Sequence, residues 1–213
     1  MAQHRVVVDI SPDDAIEMCL VAHQRVTATA NHIDDDAMHR PSRLPGWSVA
    51  HVLTHLARNA DGHSLRLEAA LRGEEVPRYP GGDAQRDGDI EAGAKRAAGD
   101  IAADLTRANA RLEDVWRRSR AAGWPNAALL AGDTFRTHES PLRRLREVEV
   151  HHTDLGLGYE PEQWPDAYVT WELRATGNRL PELVSSPQDG KRLLAWLSGR
   201  GPLPADLQLE PWA

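Results

Sequence analysis

The chain has 213 residues, 41% of them hydrophobic and 27% charged, which suits one compact domain or a larger domain with a small appendage. A net charge of −7 removes any electrostatic case for binding nucleic acid or an anionic membrane surface. The single cysteine, Cys19, excludes an internal disulfide and fits a reducing cytosol. No apolar run approaches the roughly 18 residues that a membrane span needs. The start, MAQHRVVVDISPDD, lacks the apolar core of a signal peptide, so a soluble cytoplasmic protein is expected.

Ser11-Pro12-Asp13-Asp14 predicts a helix start: a cap residue, proline at the first helical position and two acids facing the helix dipole. This first helix should run to about Asn31, with Cys19 as a packed residue on its apolar stretch rather than a reactive thiol. After a polar, proline-containing linker, Ser48 in LPGWS can cap a second helix that runs to about Leu71 and ends against Gly73. Residues 74–88, EEVPRYPGGDAQRDG, read as a loop. A third, long helix is expected from near Asp89 to Arg120. ALLAGDTFR reads as a short hairpin around Gly132-Asp133. Ser140-Pro141 repeats the cap-then-proline pattern and opens a fourth helix ending near Gly156. Four helices with longish connections predict a mainly α protein, a four-helix bundle over residues 1–158. Residues 159–213 read as a small C-terminal α/β appendage, with a helical segment near 166–184 and a short LLAWLSGRG element.

The second helix carries two histidines four apart in GWSVAHVLTHLARNA. Its apolar stripe (Val49, Val52, Leu53, Leu56, Ala60, Leu67) centres about 110° from His55, and His51 lies about 40° further out. His55 thus borders the buried face, where a residue lining a cleft would lie, and His51 faces solvent more. Asn59 and His63 continue the His55 row and can either serve as partners that orient it or simply face the cleft. On this segment alone, a boundary histidine bonded to a backbone carbonyl outweighs a metal ligand. The fourth helix changes the balance. LREVEVHHTDLG offers Glu147 with His151 and Glu149 with His152, each pair about 6 Å apart along one helix face. Two histidines and a carboxylate with an open position describe a catalytic zinc site or a non-haem iron triad. The apolar residues Leu142, Leu145, Val148 and Leu155 centre near His152, which directs His152 inward and leaves Glu147 and His151 on the flank. Periodicity favours Glu147/His151 only weakly. The alternative is a solvated Glu–His pair.

GWSVAHVLTHLARNA, ARLEDVW at 110–116 and LREVEVHHTDLG stand in an order and spacing that resemble the mycothiol-dependent maleylpyruvate isomerase family, thiol-dependent members of the DinB-like four-helix metalloproteins. The resemblance covers most of residues 40–160, with a further match at the GRG of 199–201. It implies a DinB-like bundle with Zn2+ held by His55, Glu147 and His151, and mycothiol as the low-molecular-weight thiol. It also implies a functionally important arginine at Arg200. The C-terminal portion is shorter than in the isomerase, and Arg58 stands where the isomerase has a tyrosine.

A zinc ion in such a site stabilises a thiolate at neutral pH. In the isomerase chemistry the thiolate adds to the cis double bond of maleylpyruvate, the new single bond rotates, and expulsion of the thiol gives fumarylpyruvate. A dianionic substrate needs a counter-charge, for which Arg200 is the candidate and Arg58 a lesser one. The partners expected are therefore a small-molecule thiol and a small dicarboxylate. Two other functions fit the same residues: a thiol S-transferase acting on another electrophile, and a non-catalytic metal-binding DinB-like module. The seven tryptophans suggest aromatic packing, with one or two lining the thiol pocket.

Overall fold

Ser11 opens the first helix as its sequence predicts: its hydroxyl accepts from the Asp14 N–H at 3.1 Å, and α1 covers Pro12–Asn31. The structure, a computed structural model, describes residues 10–125, 136–177, 180, 184, 186–202, 204, 205 and 207. One compact unit is Ile10–Pro165, and a second is built on the chain from Asp166 onward. The first holds α1, a short α2 (Asp35–Met38), α3 (Val49–Leu71), α4 (Gly82–Gly93), α5 (Ala98–Ala121) and α6 (Ser140–Asp154). In the second, α7 spans Asp166–Gly177 and α8 spans Pro187–Leu197.

Four long helices form the bundle. α1 packs against α5 and α6, α3 packs against the same two, and α4 lies on the outside of α3. Apolar residues recur at helical spacing and meet in the centre, as an amphipathic stripe requires. Val52, Leu53, Leu56 and Leu67 of α3, Ile101, Leu105, Leu112 and Trp116 of α5, and Leu145 and Val148 of α6 are all buried. Each such side chain contributes about 1.5–3 kcal/mol on leaving water. Cys19 is buried in the same core, and burial pushes its thiol far up, so it is a packing residue.

Three features differ from the sequence reading. The loop expected over 74–88 gives way to α4 at Gly82, and the single long helix from Asp89 is two helices, α4 and α5. Their separation has a tertiary cause. Ala97 is extended (φ −63°, ψ 151°), and the Ala98 N–H that opens α5 donates to Asp35 Oδ1 of α2 at 2.5 Å. A side chain more than sixty residues upstream thus caps α5. Gly93 ends α4 hard against α3; a Cβ there would lie 2.4 Å from Thr54 Cγ2.

Ser140 is not the cap of the fourth helix. A 3-10 turn at Thr137–Glu139 precedes it and Glu139 takes the cap position, so Ser140 lies inside α6, fully buried. Its hydroxyl accepts from Trp116 Nε1 (3.0 Å) and lies 2.9 Å from His63 Nδ1. In the appendage, α7 and α8 are helical, and no strand forms an element among the described residues. The ALLAGDTFR hairpin lies outside the described residues apart from Arg136. No helix among the described residues is long and apolar enough to cross a membrane.

Candidate metal centre

His55 leaves α3 toward α6, and Glu147 and His151 leave α6 toward α3, one helical turn apart. His55 Nε2 lies 3.0 Å from Glu147 Oε2, and His151 Nε2 lies 3.6 Å from the same oxygen. One ligand atom from each of the three falls within 4.8 Å of the others. The two imidazoles meet edge to face, with centroids 4.8 Å apart. His55 is buried, whereas Glu147 and His151 keep 21% and 14% of their side chains exposed, so the cluster opens on one side.

Asp154 completes the arrangement. Its Oδ2 is 2.8 Å from His151 Nδ1, which fixes the ring and turns Nε2 to the cluster. Burial opposes charge on His151, but hydrogen bonds to Asp154 and Glu147 outweigh it and raise its pKa to about 9. Burial likewise favours the neutral acid at Glu147, and hydrogen bonds from His151 and His55 overcome it, holding the carboxyl well below its usual range. Burial lowers the His55 pKa, against the pull of Glu147. On its other side, His55 Nδ1 faces Arg86 Nη2 of α4 at 3.4 Å. A proton on Nε2 lets His55 donate to Glu147 and accept from Arg86, and the tautomer is assigned from those contacts. The Trp47 ring lies 5.7 Å from the His55 ring.

His51 does something else. As the third residue of α3 it turns back to the helix start, where Nδ1 accepts from the Ser48 N–H (3.2 Å) and lies 2.7 Å from Ser48 Oγ. The competing pair on α6 is also engaged elsewhere. Glu149 binds Arg25 Nη2 of α1 at 2.5 Å and accepts from the Tyr159 hydroxyl. His152 Nε2 lies 2.8 Å from Thr29 Oγ1, and its ring stacks on Tyr159 at 4.2 Å. Both residues tie α1 to α6.

The hydrogen bonds described for Asn59 and His63 run to α6 residues other than the cluster. Asn59 Oδ1 accepts from Arg144 Nη1 (3.0 Å), and His63 meets Ser140. Arg58 is paired with Asp104 (2.7 Å) and Asp61 (3.1 Å). Arg200 follows α8 in the second unit, exposed, with its guanidinium donating to the Ser198 carbonyl.

Three residues escaped the sequence reading. Asp154 stands at i+3 from His151, a spacing that was visible but carries little weight alone. Arg86 lay in a segment read as loop. Arg144 is fully buried and donates to His23 Nε2 (3.2 Å), Asn59 Oδ1 (3.0 Å) and Asn109 Oδ1 (2.9 Å). No local pattern announces a buried guanidinium.

Bundle and cluster together define a class: a four-helix protein with a His–Glu–His constellation at the seam of two neighbouring helices. The family model described as the mycothiol maleylpyruvate isomerase N-terminal domain matches residues 19–156, and the chain belongs to that family. Its fold is similar to the crystal structures of the mycothiol-dependent maleylpyruvate isomerase and of a histidine-to-alanine mutant of it. Each gives a TM-score of 0.69 at 24% identity, covering 74% of this chain and 66% of that one. The chain thus spans about two thirds of the length of those proteins. No match is found among curated proteins.

Proposed function

We propose that this protein is a zinc enzyme that uses a low-molecular-weight thiol, mycothiol, to isomerise a cis-configured dicarboxylate of the maleylpyruvate type. The observation that carries the reading is the convergence of His55, Glu147 and His151 within a domain of this family. Two imidazoles and one carboxylate suit Zn2+, and a half-open cluster leaves a position for a further ligand. When bound, the ion supplies a lowered thiol pKa and hence a nucleophile at neutral pH.

The chain's own residues do the rest. Glu147 remains an anion between two imidazoles, His55 stays neutral through burial, and Asp154 holds the His151 ring in one orientation. In the reaction a C–S bond forms as the carbon–carbon π bond opens. Rotation about the remaining single bond follows, and breaking the C–S bond restores the double bond as trans and frees the thiol. No electrons are gained or lost.

The test is an assay of zinc-loaded protein with maleylpyruvate, with and without mycothiol. Formation of fumarylpyruvate only when the thiol is present is the expected result. Thiol conjugates without isomerisation would replace this reading with an S-transferase. No stoichiometric zinc binding would remove both and leave a non-catalytic module.

A further inference from the structure

An enzyme acting on a dianion beside its metal cluster needs a cation that reaches that cluster, and the described residues offer few. Arg58 is held by two aspartates. Arg144 is fully buried and spends its donors on His23, Asn59 and Asn109. Arg86, among the described residues, meets a member of the cluster directly: its Nη2 is 3.4 Å from His55 Nδ1.

Its surroundings suit an anion. Arg86 keeps 30% of its side chain exposed, and the carboxylate on it is Asp87, its 62% exposed neighbour in sequence, at 2.8 Å. A solvated pair of that kind is weak, so Asp87 competes poorly with an incoming carboxylate. α4 is a well-anchored carrier, because buried Ile90 and the close approach of Gly93 to Thr54 press it against α3. The His55 contact is conditional. An imidazole that gives its Nε2 lone pair to a cation carries its proton on Nδ1, and Nδ1–H cannot accept from a guanidinium. Arg86 then loses that acceptor and its donors turn to a carboxylate.

We propose that Arg86 binds a carboxylate of the substrate at the His55–Glu147–His151 cluster, making it a specificity-determining residue for small dicarboxylates. This rests on the proposed function for its metal and substrate class. The planar guanidinium can engage the carboxylate through two charge-assisted hydrogen bonds.

The probe is maleate, titrated calorimetrically into zinc-loaded protein. R86Q should hold zinc stoichiometrically and bind maleate about 10- to 100-fold more weakly, the range expected for losing a charged hydrogen-bonding partner. R86K, which keeps the charge but not the fork, should fall between. R117Q, at an exposed arginine on α5, should bind as the parent does and so exclude a general loss of charge. Should R86Q lose zinc or fail to fold, the parent protein still decides the matter. Maleate should protect Arg86 from phenylglyoxal, read by mass spectrometry of the modified peptides. Unchanged maleate affinity in zinc-replete R86Q, no protection of Arg86, or no maleate binding by the parent would each overturn the proposal. A parent that binds maleate through Arg86 yet does not isomerise maleylpyruvate sinks the isomerase reading and leaves the anion site standing.

Discussion

Asp154 touches His151 on the face turned away from Glu147, so its influence on a bound ion is indirect. A carboxylate on the far nitrogen fixes tautomer and ring orientation and strengthens the ligand. Asp154→Asn should keep the fold and lower zinc affinity about 10- to 100-fold, measured by competition with a chromogenic chelator. Unaltered affinity would reduce Asp154 to a surface partner of His151. Alanine at His55, Glu147 or His151 should abolish stoichiometric zinc by atomic absorption. His51→Ala should retain zinc and lose about 1 kcal/mol of stability, the usual cost of a missing cap contact. Metal loss in His51→Ala would overturn the division of labour between the two histidines. The different placement of the two histidines was legible in the sequence, since helical periodicity sets His51 about 40° further from the apolar stripe than His55. Arg86 and Arg144 were not legible, because their partners come from other helices.

Between elements, the buried hydroxyl of Ser140 joins α6 to α5 and α3 through Trp116 and His63. Ser140→Ala removes the acceptor of a buried indole N–H and should cost about 1–3 kcal/mol in urea denaturation. A loss near zero would show that the indole finds another acceptor. Local signals fared well where the cap is local: Ser11-Pro12 and Ser48 placed the starts of α1 and α3 at the residues observed. They failed where the cap is supplied from afar. Asp35 starts α5, and nothing in residues 89–120 shows it. The Ser140-Pro141 pattern found the right helix and assigned the wrong task to the serine.

For the molecule as a whole, buried histidines contribute to the response to acid. Burial is the main cause of a His23 pKa lowered from 6.5 to about 4, and the same cause takes His152 to about 4. Between those values the unfolded chain binds protons that the folded chain refuses. Their contribution is therefore complete above about pH 6.5 and is lost as pH falls toward about 4, by up to about 1.4 kcal/mol per pH unit for each group. His151, raised to about 9, runs the other way: its contribution is present below pH 6.5 and lost as pH rises toward about 9. Urea midpoints across the acid range should fall below pH 6.5 and fall less in His23→Gln. Equal slopes in the two proteins would rule out His23 as a source.

Arg144 reaches further than any of these. From α6 it donates to His23 on α1, Asn59 on α3 and Asn109 on α5, so a single side chain inspects all four walls of the bundle. Leucine and alanine contacts are forgiving: a helix slid by one turn, about 5.4 Å, still finds apolar neighbours. A guanidinium is not. Any such slip strands a buried charge, at a cost of several kcal/mol. Mispacked bundles with equally greasy interiors are thereby disfavoured, and the register that survives is the one that brings His55 opposite Glu147.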